Sequence, residues 1–191
     1  MSFDQQREKL LQAIVFFVKE TKNCHKLKLF KLLFFFDFQV FRETGKSATG
    51  LKYHAWPMGP VPGALFEELG HPAADLSQRV TLRRASLDDL DFGEKSVLIT
   101  AKKPFDETQF TRRELRILKN LAEVFLEASG ADMREVSHLK GSPWHQVYEV
   151  EKRKQDRIPY ELALDGSAGS LTKEQAREVE SETRELDGLL R

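Results

Sequence analysis

From Asp4 to about Glu20, apolar Leu10, Leu11, Ile14, Val15 and Val18 recur at helical spacing, which gathers them on one side of an amphipathic helix with Asp4 as its N-cap. The next segment, LKLFKLLFFFDFQVFRETG from Leu27 to Gly45, has large apolar groups on nearly every side. A helix of that kind must be covered by neighbours on several sides, so it is expected to be the central helix, with Gly45 at its C-terminus in a positive-φ conformation.

Between Thr49 and Trp56 the pattern changes to alternation, with Leu51, Tyr53, Ala55 and Trp56 against Lys52 and His54, which predicts a short strand. In MGPVPGALFEEL two prolines and two glycines stiffen a loop, and a short helix is expected near Gly63 to Leu69, with Pro62 in its first turn. HPAADLSQ is a turn-rich connection, after which Gln78–Arg84 and Ser96–Ala101 are expected to pair antiparallel around the polar DDLDFGEK. Thr111 and Glu114 form a capping box for a helix through Leu115, Leu118, Leu121, Ala122 and Phe125 towards Gly130. A second start at Asp132 leads into MREVSHLK, and Gly141 and Pro143 break the chain before WHQVYEVEKR.

After about Glu151 the chain becomes charged and turn-rich, and DGSAGS has a linker's composition. Thr172 and Gln175 form another capping box, and Ala176, Val179, Thr183, Leu186 and Leu190 follow at alternating three and four spacing. The expected organisation is a domain over 1–150, then a charged linker and C-terminal amphipathic helix over 151–191. The expected class is α+β, predominantly helical: a central apolar helix packed by neighbouring helices, with a small antiparallel sheet.

A length of 191 residues supports one main domain with an appendage. The 30 basic and 30 acidic residues cancel, so no global field draws the chain to nucleic acid or a membrane surface. The lone Cys24 can neither form an internal disulfide nor anchor a cysteine-rich zinc site, which fits a reducing compartment. The opening MSFDQQREKL lacks the basic patch and apolar run of a signal peptide, so a cytoplasmic location is expected. The most apolar run, Leu27–Phe41, is interrupted by Lys28, Lys31, Asp37 and Gln39 and falls short of the roughly 20 residues a membrane span requires.

Little in the chain has catalytic spacing. Gly45-Lys46-Ser47 imitates the end of a phosphate-binding P-loop, but Val40 stands where the first glycine is needed. Cys24 and His25, adjacent on a helix, point apart and make a poor nucleophilic dyad. His25, His54, His71, His138 and His145 show no metal-ligand spacing. Asp37, flanked on its helix by Leu33, Phe34, Val40 and Phe41, requires a partner if buried, either a backbone donor or a base such as Lys31 or Arg42. Lys22, Lys26, Lys28 and Lys31 form the one coherent basic cluster, read as a solvated face in preference to a nucleic-acid site. EVEKRKQDR alternates in sign and reads as solvated surface.

Three connected pieces resemble the Panacea domain of SocA-like antitoxins: the K-L-L-aromatic-aromatic-x-D helix from Lys31 to Asp37, the T-G-L-x-Y-x-A-W strand from Thr49 to Trp56, and the G-P-V-P loop from Gly59 to Pro62. A later piece, EVSHLKGSPWHQV, is similar to the family's closing region, with Ser137 and His138 before Pro143 and Trp144. The resemblance covers roughly Cys24 to Tyr148 and departs from the family at Pro57 and Met58, where a basic or polar residue and an aromatic are usual.

The resemblance implies an antitoxin without catalysis, cofactor or metal, which binds a cognate toxin protein encoded beside it. The candidate contact residues are Trp56, Gly59, Pro60, Val61, Pro62, Phe66 and Trp144, although for each of Trp56, Val61, Phe66 and Trp144 a place in an ordinary core is the favoured reading, and the motif's polar positions are Lys31, Asp37, Ser137 and His138. Alternatives are an adaptor that delivers the toxin to a protease, a small hydrolase using Asp37 or His138, and a DNA-binding autoregulator using the lysine cluster. No membrane partner is implied.

Overall fold

In the computed structural model, which describes residues 3–84 and 97–189, helix α1 spans Phe3–Glu20 and α2 spans Lys26–Thr44. Asp4 lies inside the first turn of α1 and does not cap it. The α1 helix buries Leu10, Leu11 and Ala13 through Phe17, and α2 is buried over most of its surface, including Leu29, Leu32, Leu33, Phe34 and Phe36, with Phe35, Gln39 and Arg42 half-buried on one face. His25 caps α2 by accepting the Lys28 N–H on its ring nitrogen, and Gly45 ends the helix at φ 72° with its N–H donating to the Phe41 carbonyl.

The chain then forms a tight hairpin of β1 (Tyr53–Trp56) and β2 (Gly59–Pro62), paired antiparallel from Tyr53↔Pro62 to Trp56↔Gly59. Helices α3 (Gly63–Glu68) and α4 (Ala74–Arg79) follow. Arg7 of α1 holds both through fork-like pairs to Glu68 and Asp75. A second hairpin pairs β3 (Val80–Arg84) with β4 (Val97–Ala101). Its first strand starts later than the expected Gln78 because α4 continues to Arg79; Ser96 and DDLDFGEK lie outside the described residues.

Helix α5 (Arg112–Val124) starts at the Thr111–Glu114 capping box, and Glu114 also accepts from the buried Lys9 at 2.5 Å, tying α5 to α1. It stops at Phe125, short of Gly130, because a new capping box, Ser129 with Asp132, opens α6 (Gly130–Ser137). Asp132 is thus the box's third residue and not its start. Ser142 caps α7 (Pro143–His145), which runs into a π-helical turn over Gln146–Val150.

Residues past Glu151 return to the same core. Ala55 donates to the Asp156 carbonyl, and the Ile158 and Gln155 amides donate to Tyr53 and Ala55, so this stretch covers the outer edge of β1. Ile158 and Tyr160 are core residues, and the Tyr160 hydroxyl donates to the Leu51 carbonyl at 2.6 Å. Helix α8 (Lys173–Leu189) follows the Thr172–Gln175 box, and its Ala176 is buried. Leu190 and the side chain of Leu186 lie outside what is described. The result is a predominantly helical α+β fold with two small antiparallel hairpins.

Candidate functional site

Helix α2 places two buried charges in the fold, and each meets a different loop. Asp37 accepts the Thr49 amide at 2.8 Å, the Thr49 hydroxyl at 2.5 Å and the Tyr53 hydroxyl at 2.8 Å. Of the two kinds of partner expected from sequence, a backbone donor holds it and neither Lys31 nor Arg42 does; two hydroxyls complete its surroundings. Complete burial pushes its carboxyl up to about 6 against the pull of these donors.

Lys31 lies fully buried beneath the first hairpin and donates to the Pro60 carbonyl at 2.9 Å. Desolvation, and after it the positive charge of Arg134, push its amine well below the usual lysine range. Gly59 sits over it at φ +98°, and a Cβ there would fall 2.7 Å from Lys31 Nζ and 2.8 Å from Ser137 Oγ. Only glycine combines this backbone with so close an approach. Ser137, itself buried, donates to the Arg134 carbonyl and closes the turn of α6.

Alongside runs a stack of flat side chains. His138 lies against Trp144 with ring centres 3.7 Å apart and planes 4° apart, and Trp144 lies against Tyr148 at 4.6 Å. The Trp144 indole N–H donates to the Trp56 carbonyl at 2.8 Å, pinning the last residue of β1. Burial, then the positive charges of Lys31 and Arg134, lower His138 to about 4, so its imidazole is neutral at ordinary pH. Among the described residues its buried Nε2 has no hydrogen-bond partner.

At the edge of this arrangement Trp56 and Phe66 are half-buried and meet edge to face at 4.9 Å, with Lys26 Nζ 3.5 Å from the Phe66 ring centre. Met58, at the hairpin tip, is 40% exposed. Gly59, Pro60, Val61, Pro62 and Trp144 are instead buried, and form the support behind Trp56, Met58 and Phe66. From the sequence Met58 stood out only as a departure from the family, and Arg134 and Tyr148 were not singled out; Tyr148, four residues after Trp144, carried a detectable signal in that one-turn spacing.

The expected solvated lysine face does not exist. Lys28 is buried and donates to the Lys22 and Leu126 carbonyls, Lys31 is bound to Pro60, Lys26 covers Phe66, and Lys22 pairs with Glu127. These amines close helix ends and loops, so their charges do not project together towards a phosphate backbone. Cys24 is buried with its thiol pushed up to about 11, which makes it a poor nucleophile. Among the described residues no group of three or more His, Cys, Asp or Glu is arranged to hold a metal, and no helix is long and apolar enough to cross a membrane.

No curated protein and no solved structure matches the chain. A family model does, that of the SocA-like antitoxins with a Panacea domain, over residues 29–145. That span takes in Lys31, Asp37, the first hairpin and the His138–Trp144 stack, and with it more than half of the chain, which therefore belongs to the SocA-like antitoxin family with a Panacea domain.

Proposed function

We propose that this protein neutralises a toxin protein, encoded beside it, by covering the toxin with the surface formed by Trp56, Met58 and Phe66. One observation carries this reading: the exposed hairpin tip is held from behind by Lys31 on Pro60, by Trp144 on Trp56 and by the close seat of Gly59. A surface held in one shape loses little entropy on binding, and half-buried aromatics at its centre supply most of the contact energy. Gly59, Pro60, Val61, Pro62, Trp144, Lys31, Ser137 and His138 act through the shape of that surface, and Asp37 through the stability of the domain. The action is steric, and no step of chemistry is required of the antitoxin.

The test is growth of cells expressing the adjacent reading frame alone and together with this chain. Arrest relieved by co-expression, and restored when Trp56→Ala and Phe66→Ala are combined in a chain that still folds, is the expected result. Relief that persists with both rings removed would place the contact elsewhere. An adaptor acting through a protease would reveal itself as a shortened toxin half-life.

A further inference from the structure

On the far side of β1 from the hairpin tip, the chain forms an open cleft of about 820 Å³ where α8 faces the loop after α2 and residues 157–162. Its size is that of a small-molecule site, commonly about 300–1,000 Å³. Five cations line it: Lys46, Lys52, Arg157, Lys173 and Arg177. They come from three separate stretches of chain, the loop after α2, residue 157 and α8, and the four-residue spacing of Lys173 and Arg177 sets that pair on one face of α8.

Among the described residues none of the five forms an ion pair with a carboxylate. Among the described residues two carboxylates, Glu161 and Glu180, line the same cleft. A protein whose charges cancel over the whole chain thus concentrates an excess of cations in one recess. By contrast, Arg7, Arg79, Arg116 and Arg153 have carboxylate partners. Gln6, Ser47 and Thr183 add neutral polar groups to the lining, and the stacked rings of Phe41 and Tyr160, 5.3 Å apart, supply an apolar wall.

We infer that this cleft binds a small polyphosphate-bearing anion, such as a nucleoside di- or triphosphate, held by Lys46, Lys52, Arg157, Lys173 and Arg177. The lining favours a small ligand over an acidic protein segment. Among the described residues none of the exposed large apolar side chains, Met58, Val124, Leu126, Leu139 and Val150, lines the cleft, whereas five of its lining residues are cations. Several cations converging on a recess suit clustered phosphate oxygens, for which arginine offers paired N–H donors. The site does not depend on a P-loop, since Gly45 caps α2 and Val40, inside that helix, stands where the first P-loop glycine would be.

The experiment is calorimetric titration of the full chain with inorganic tripolyphosphate, orthophosphate serving as the single-charge-centre comparison. Tripolyphosphate is expected to bind at least about tenfold more tightly than orthophosphate, with affinity falling as salt rises. Arg177→Glu is expected to weaken it by about tenfold or more, whereas Lys140→Glu, an exposed cation outside the lining, leaves it unchanged. If reversal at Arg177 disturbs the seating of α8, Lys52→Glu tests the opposite wall. Absence of binding, equal affinity for the two phosphates, or equal loss on reversing Lys140 would each overturn the inference. Toxin neutralisation is a separate readout, so failure here leaves the hairpin surface untouched.

Discussion

Lys31 and Asp37 are both fully buried charged residues of α2, six positions apart, yet the fold completes the surroundings of one and not of the other. Asp37 receives three donors from Thr49 and Tyr53, which close the loop that leaves α2. Lys31 has the Pro60 carbonyl as its one hydrogen-bond acceptor among the described residues and lies next to Arg134, whose positive charge opposes its own. The difference teaches what each is for. A satisfied buried acid locks a core, whereas a half-satisfied buried amine costs stability and persists where it shapes a surface, here the underside of the hairpin.

The largest effect expected from breaking this contrast is at Asp37. Asp37→Ala leaves the Thr49 amide, the Thr49 hydroxyl and the Tyr53 hydroxyl without their acceptor, and should cost about 4 kcal/mol in urea unfolding. A loss below about 1 kcal/mol would show that this node does not lock the loop.

Next is the pH dependence of the same group. The folded state holds the Asp37 proton up to about 6, against an ordinary value of 3.8, so between these values the folded chain binds more protons than the unfolded one. Its contribution is therefore full below pH 3.8 and lost as pH rises through about 6. The stability advantage of the native protein over Asp37→Asn should shrink from pH 4 to pH 7, by at most about 3 kcal/mol. His138, whose lowered value gives the opposite slope, is present in both proteins and cancels. An advantage that grows with pH would reverse the assignment.

The smallest stability change is expected at Lys31. Lys31→Met keeps most of the volume and removes the buried amine, so unfolding free energy should move by about 1 kcal/mol or less. The same change removes the grip on Pro60 and should weaken toxin binding, a split between stability and affinity that Asp37 variants will not show. Unchanged affinity in a folded Lys31→Met chain would mean that the hairpin needs no support from α2.

Local sequence announced much of the architecture. Periodicity marked α1 and α2, capping boxes placed the starts of α5 and α8, and the left-handed Gly45 ended α2 where expected. Asp37 was also legible, because an aspartate stands out among the large apolar groups beside it on α2, whereas Ser137 and His138 were singled out only through the resemblance to the family. Each of these signals is complete within one or two helical turns or one turn of chain, so no distant contact is needed to read it.

Partnership was not legible. That Asp37 meets hydroxyls and not a cation, that four lysines scatter to carbonyls, a ring and a glutamate, and that Trp144 reaches back to Trp56 all depend on contacts across long stretches of chain. So does the return of the charged stretch 155–158 to cover β1: its side chains mark it as solvated, while its backbone completes the sheet edge. Side-chain character determines whether a residue tolerates burial, and that much the chain carries on its face. Which groups a buried or edge residue meets is decided by packing many segments at once, because a buried polar group takes whichever donor or acceptor the fold brings within reach.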